Sequence, residues 1–555
     1  MQGRIRNLWR PMKVKEMDRT YNTKYVRLHC RASSSSDGAQ TYMHAGLGHE
    51  TITYLPRTLN CGTEVNIILT VIPRSNLCRS DHRKALMCIH GEAAYGAVDG
   101  APVFLPGSHL LAITPFFRRR FEFLNDGFRK TGQSLFQFNM LRETVIVVSG
   151  ESARKSFFAN KHFDLTEGFK VLSGAIPVVK GVTSDLQTKR IAQIHKRLSS
   201  VQRNEHLSGL IAPILEDCRR VMETWGPSGT FDPFEKIYEL LFQITVRSLS
   251  CEELADDPVQ VARLKELYDT LDSGTTPATV LLPWLPGPSM LKKLWATKKI
   301  YDIIVRAIDE RERSGISKPD TLQMLLDEKD ERLVIVGFIL GLLVAGARAT
   351  GTTASWLITY LGDHESKDEV IAEVEQLLAN YVSPNVSHSL SHQLSSIPLE
   401  AWESETPVLD SLIRETLRIA QPHTAMRRNL GPDVTIDGKT IPSGAYVVYP
   451  FSDVHLNPDL YPDPWRFDPS REEATAPFGY VGWGGGKTHC LGQRLARLEL
   501  KLVTSMMLLG FRYSLVDKKG EQLNAPPQPN WNDILLCRPE QGSSYVKHEK
   551  SVLSL

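Results

Sequence analysis

The chain lacks a surplus of charge of either sign. Its 65 Lys and Arg stand against 63 Asp and Glu, a formal net charge of +2. Composition therefore gives no case for nucleic acid as a partner. Cysteine is sparse: eight residues, at 30, 61, 78, 88, 218, 251, 490 and 537, with no C-x-x-C pair. That argues against a zinc site or a disulfide scaffold and fits a reducing environment. Residues 1–100 contain no apolar run of about 20 residues, so no transmembrane anchor or secretory signal is visible there. Instead, residues 1–31 are rich in Arg and Lys, and 33–36 are a run of serines. A basic transit peptide and an alternative start both fit that composition. No internal repeat and no flavin or nicotinamide fingerprint is present.

What is present reads as mostly helix with a minor β portion. Leu207, Leu210, Ile211, Ile214 and Leu215 share one face of a helix over 207–225. Pro227, Ser228 and Gly229 then read as a turn. Further helices are expected over 231–249, 292–313 and 368–378, and short strands over 144–148, 434–436 and 445–449. Asp437-Gly438 reads as a hairpin turn. Residues 333–361 carry a single charge, Arg348. A helix apolar all round is either a membrane span or the core of a large protein. An Arg near its middle costs about 2.5–3.5 kcal/mol on insertion into lipid, and Thr350, Thr352, Thr353 and Ser355 weaken the membrane reading further.

The most informative stretch runs from Trp483 through Gly484, Gly485, Gly486, Lys487, Thr488 and His489 to Cys490, Leu491 and Gly492. Glycines allow tight turns and close approach of a flat ligand. A cysteine on such a loop, just before a helix, can present a thiolate to a metal; it can equally be a buried structural thiol. Glu415 and Arg418, three apart on a helix, share a face. By themselves they read as a surface pair worth under about 1 kcal/mol. Between the two lies Pro464-Trp-Arg466-Phe467.

Together these motifs resemble the cytochrome P450 family, over roughly 101–545. Gly486, Cys490 and Gly492 fall where the family's Phe-x-x-Gly-x-Arg-x-Cys-x-Gly loop has Gly, Cys and Gly. Trp483 stands for the Phe and Thr488 for the Arg. The resemblance implies the family's mainly α fold and haem b with Cys490 as axial iron ligand. A thiolate in that place donates electron density and favours O–O cleavage. It implies Glu415, Arg418 and Arg466 as a buried triad behind the loop, with Arg471 as a supporting contact. It also implies Arg427 on a haem propionate, with Lys487 and His489 as helpers. His195-Lys196-Arg197 is a weaker candidate for a second basic partner.

The family's central helix carries Ala/Gly-Gly-x-Asp/Glu-Thr-Thr/Ser on the oxygen face of the haem. Here Ala345 and Gly346 match, Arg348 occupies the acidic position and Ala349 the catalytic threonine position. Thr350 is one residue along, about 100° around the helix; a catalytic role and a bond to the helix's own carbonyl are both open to it. Substrate contacts are expected from Ala347, Ala349, Thr350, Pro422, His423, Thr424 and Ala425, an apolar pocket with a few polar points. Spacing resembles the clan of sterol 14-demethylases, bile-acid sterol hydroxylases and prostacyclin synthase, and a fungal-type microsomal member.

The resemblance therefore implies a monooxygenase acting on a sterol, terpenoid or secondary metabolite. NADPH-cytochrome P450 reductase would supply electrons at the cytosolic face of the endoplasmic reticulum. A haem-thiolate isomerase acting on a peroxide and a non-enzymatic haem carrier or sensor are the rival readings. The expected organisation is an atypical basic, poorly structured extension at 1–100 without a visible membrane anchor, a haem domain at 101–545 and a tail at 546–555. Ala101 to Gly107 resembles the family's hinge.

Overall fold

The computed structural model describes residues 43–47, 50–54 and 100–551, the last apart from 107–108, 142, 173–195, 283–284, 286, 363, 384–388, 422, 524, 534–536 and 540–543. The chain divides into two units, Met1–Ala94 and Tyr95–Leu555. In the first, β1 (Met43–Leu47) and β2 (Glu50–Tyr54) form an antiparallel hairpin in the register Met43↔Tyr54.

The second unit is predominantly helical. Its principal helices are α1 (Arg120–Thr131), α2 (Glu151–Ala159), α3 (Leu165–Leu172), α4 (Asn204–Glu223), α5 (Pro233–Leu249), α6 (Pro258–Ser273), α7 (Pro288–Ser314), α8 (Arg332–Leu361), α9 (Ser366–Tyr381), α10 (Pro407–Ile419) and α11 (Gln493–Gly510). Their ends follow local chemistry. Pro233, Pro258, Pro288 and Pro407 start α5, α6, α7 and α10, where the missing N–H costs nothing. Asp232 caps α5 by accepting from the Phe234 amide at 2.8 Å.

α8 is long and apolar enough to cross a membrane, the only such helix among the described residues. Here it is the core. Val334 to Leu340 and Thr350 to Leu361 are buried along their whole length, packed on α5 and α11. Gly351 sets the α5 contact: a Cβ there would lie 2.6 Å from Tyr238 Cδ2.

The main sheet has the order β3 (Val103–Phe104), β4 (Leu135–Met140), β5 (Glu143–Val148), β11 (Tyr446–Pro450), β8 (Thr424–Asn429), β6 (Phe163–Asp164). β11 runs parallel to β5 and antiparallel to β8, pairing Val447 with Ile146 and Arg427. β9 (Val434–Ile436) and β10 (Lys439–Ile441) form a hairpin whose turn residues Asp437 and Gly438 have φ of 48° and 72°, as a primed turn needs. A third sheet orders β12 (Phe511–Val516), β13 (Tyr545–Lys550) and β7 (Ser228–Phe231).

Three expectations are corrected. The presumed hinge is an edge strand, because Val103 and Phe104 pair with β4. The presumed tail contains β13, the middle strand of its sheet, so residues 546–550 belong to the fold. Pro227-Ser-Gly is not the turn after α4. Gly226 takes that place with φ 83°, and Ser228 already pairs with Glu549.

α3 lies directly on β8: a Cβ on Gly168 would sit 2.0 Å from the Met426 carbonyl oxygen. That contact is backbone, which cannot step aside. Gly168→Ala should cost about 1–3 kcal/mol, as overpacking does, and lower the thermal midpoint. An unchanged midpoint would mean α3 is not seated on β8.

Candidate active site

The loop between Val481 and α11 is wound by its own backbone. The Cys490 amide donates to the Trp483 carbonyl at 2.7 Å, and Gly484 to Val481 at 2.8 Å. Residues Gly486–Thr488 make one 3₁₀ turn. Gly486 has φ 56°, and a Cβ there would lie 2.3 Å from the Phe158 carbonyl oxygen of α2, so both conformation and space require glycine. A Cβ on Gly492 would meet nothing within 4 Å. Trp483 packs partly buried on the main core.

Cys490 is exposed, whereas Cys218, Cys251 and Cys537 are buried. Yet burial pushes its thiol above the usual range, opposed by the Gly492 amide. The two observations agree if the sulfur is surrounded by protein but faces an open interior space. His423 behaves alike: its surface is open, while burial, and then the charge of Arg120, hold its imidazole down to about 4. On α8, Ala345 and Ala349, one turn apart, are exposed amid a buried helix. An open cysteine and an open small-residue face make room for a flat prosthetic group, and a coordinating metal would deprotonate the thiol outright.

Behind the loop, Arg418 and Glu415 on α10 are buried to 1% and 3% exposure. Arg418 Nε and Nη2 donate to the two Glu415 oxygens at 2.7 Å each. Nη1 donates to the carbonyls of His455 (2.7 Å) and Pro464 (2.8 Å), and Nη2 to Arg466 (3.3 Å). All five guanidinium N–H groups are thereby used. His455 passes the constraint on: its Nε2 accepts from the Val481 amide at 3.0 Å, two residues before Trp483.

Arg466 is a correction. Its side chain is 65% exposed and pairs with Asp468; only its carbonyl joins the network. The third cation is Arg471, 11% exposed, whose Nε reaches Glu415 Oε1 at 3.2 Å. Pro464 and the turn at Asp463 (φ 48°) aim the Arg466 backbone, not its side chain, inward. His455 and Tyr461, whose ring lies 5.0 Å under Arg418, were not foreseen, and a lone His or Tyr gives no sequence signal.

The basic candidates separate. Arg427 is 5% exposed; Nη2 donates to Thr488 Oγ1 at 2.8 Å and burial holds it down to about 10. A guanidinium thus lies beside the loop position that holds Thr488. Lys487 and His489 are exposed on the same loop. Arg197 is already neutralised by Asp330 (2.7 Å) and Glu328 (2.6 Å), which removes it as a free partner; His195 and Pro422 lie outside the described residues.

On α8, Thr350 is buried off the Ala345–Ala349 face and Ala347 is fully buried, so neither reaches the open side. Gly346 is half-buried toward α5, its Cβ position 3.4 Å from Leu249. Thr353 Oγ1 donates to the Ala349 carbonyl at 2.9 Å. Arg348 turns to α6, pairing with Asp272 at 2.5 Å above the rings of Tyr238 and Tyr268.

The family model for cytochrome P450 matches residues 101–543. Cytochrome P450 monooxygenase AacuE of Aspergillus aculeatus is 29% identical over 79% of this chain and 92% of its own. Cytochrome P450 monooxygenase nsrP of Aspergillus novofumigatus is 30% identical over 71% and 78%. Lanosterol 14-alpha demethylase of Bos taurus is 29% identical over 72% and 80%. The fold matches that of retinoic acid bound cyanobacterial CYP120A1, TM-score 0.61 at 24% identity, covering 81% of this chain and 99% of that one. The chain belongs to the cytochrome P450 family. It is a cytochrome P450 monooxygenase, an oxidoreductase whose cofactor is haem with a cysteine-ligated iron.

Glu415→Ala or Arg418→Ala strands a buried charge, so each should cost about 3–5 kcal/mol and yield little haem-loaded protein. Arg471→Ala should lose part of both, whereas Arg466→Ala should keep the wild-type thermal midpoint and haem occupancy. Equal damage from the last two would restore Arg466 to the triad.

Proposed function

We propose that this enzyme inserts one atom of dioxygen into a lipophilic substrate (a sterol, terpenoid or secondary metabolite), with Cys490 as the iron ligand. The observation that carries the assignment is the open thiol at the end of a glycine loop wound by backbone bonds, with the Arg418 network behind it. When bound, haem supplies the reductive activation of dioxygen. The chain's own residues do the rest. Gly486 and Trp483 shape the loop, and Gly492 leaves clearance at the start of α11. Arg427 offers a cation to a propionate, with Lys487 and His489 at the rim. The Ala345–Ala349 face leaves space on the oxygen side. Electrons would come from NADPH through a separate flavoprotein reductase. A sterol-acting relative supports the lipophilic reading. Attachment to a membrane surface, which we place at the cytosolic face of the endoplasmic reticulum, is supported only as far as a lipid surface by exposed Val103, Phe104, Leu285, Leu291 and Trp295.

Reduced protein with carbon monoxide should show the red-shifted Soret band of a thiolate haem, and Cys490→Ser should abolish it. A band that survives would overturn the ligand assignment.

Ala349 has no hydroxyl to organise proton delivery, Thr350 faces away, and the Thr353 hydroxyl is already donating to a carbonyl. A substrate hydroxyl or an ordered water must carry the protons. Coupling should therefore be imperfect, with peroxide released, and Ala349→Thr should lower that release. With labelled dioxygen, NADPH and reductase, the product should gain one labelled atom. Turnover of a peroxide substrate without NADPH or dioxygen, and without label, would make the enzyme an isomerase instead.

A further inference from the structure

Seven arginines of the described chain are buried, and five of them meet a carboxylate: Arg154 with Asp453, Arg197 with Asp330, Arg247 with Asp217, Arg311 with Asp320 and Arg418 with Glu415. Two do not. One is Arg427, beside the cysteine loop. The other is Arg120, at the start of α1 and 5% exposed. Its Nε donates to the Phe116 carbonyl at 3.2 Å and its guanidinium lies 4.8 Å over the Phe116 ring. Its Nη2 is buried with no hydrogen-bond partner among the described residues.

An uncompensated buried charge is among the most costly features a fold can carry. Here it stands without any acidic neighbour: burial alone pushes Arg120 down to about 10, with no carboxylate opposing. Leu124 of α1 and Phe116 share a core cluster with Met426 of β8. The Phe121 ring beside Arg120 lies 5.5 Å from Trp531, whose Nε1 donates to the Ile419 carbonyl. α1 therefore lies against the segment that carries His423, an exposed imidazole that the Arg120 charge helps to hold neutral. His423 is held by Phe451, its carbonyl accepting from the Phe451 amide at 3.0 Å and its ring edge-on to the Phe451 ring at 5.9 Å. A preset donor pair, one cationic and one neutral, is what recognition of a carboxylate requires.

We propose that Arg120 and His423 form a binding site for a carboxylate, supplied by the substrate or by a haem propionate. This deepens the reading of a lipophilic substrate by giving that substrate an acidic end. It leaves the Cys490 assignment independent, since that is read from the carbon monoxide spectrum.

The test begins with Arg120→Met, which removes the charge and keeps the length. In ligand-free protein this variant should melt at or above the wild-type temperature, because the buried charge meets no carboxylate and the one carbonyl bond and ring contact at Phe116 do not offset the cost of burying it. A large fall would make Arg120 structural and overturn the proposal. Spin-state titration of the haem-loaded protein with dodecanoate and with dodecanamide then identifies the source. If the carboxylate is the substrate's, wild type should favour dodecanoate and Arg120→Met should lose about tenfold of that preference, the scale of one charged hydrogen bond, with haem retention unchanged. His423→Asn should lose less. If it is a propionate, dodecanoate should gain no preference, and Arg120→Met should speed haem transfer to an acceptor globin. Wild-type haem retention in the variant, together with no carboxylate preference in wild type, would overturn the proposal.

Discussion

A guanidinium 1% exposed, with every N–H satisfied, is the constraint on which this site depends. Arg418 joins four chain segments at once: its own helix through Glu415, the turn at His455, the strap at Pro464 and Arg466, and, through Glu415, Arg471. Apart from α10, those segments have little regular structure of their own. Without a common charged centre they would need separate hydrophobic anchors, and four of the ten loop residues from Trp483 to Gly492 that follow them are glycine. Aromatic packing adds to the same centre. Tyr360 of α8 stacks on Phe467 at 4.1 Å and 12°, and Trp356 stacks on Tyr360. The strap is thereby registered against the central helix as well as against α10.

Charge can be supplied through space where a motif lacks it. Thr488 stands at a position where the family has an arginine, yet Arg427 on β8 donates to its hydroxyl. Arg348 stands where the family has an acid, yet Asp272 on α6 sits beside it. In both cases the local sequence departs from the pattern while the neighbourhood keeps a charged pair or a cation. Substituting such positions singly therefore tests a neighbourhood, not a residue.

The helices were legible because their apolar periodicity is long: 207–225, 231–249 and 292–313 correspond to α4, α5 and α7 within a few residues at most ends. The hairpin turn at Asp437-Gly438 was legible because few dipeptides tolerate positive φ twice. The misreadings share a cause. Val103–Phe104, Ser228–Phe231 and Tyr545–Lys550 are short strands whose partners lie far along the chain, so no local pattern marks them. The resemblance of Pro464-Trp-Arg466-Phe467 to the family motif implies Arg466 in the triad, and a motif cannot say whether the side chain or the carbonyl points inward. Here the turn after Asp463 decides that, and Arg471 fills the side-chain role from five residues away.

The central helix shows how composition alone underdetermines an environment. By length and apolarity α8 suits lipid as well as protein. What settles it is a pattern no hydropathy scale measures: small residues where a neighbour is close, as at Gly351 against Tyr238, and small residues where nothing covers the face, as at Ala345 and Ala349. A lipid-facing helix would gain by filling that face with large side chains. A core helix that leaves one turn bare forfeits burial and dispersion contacts there. The bare turn at Ala345 and Ala349 is therefore a departure from core packing that length and apolarity do not predict, and it is the part of α8 on which the proposed oxygen-side role rests.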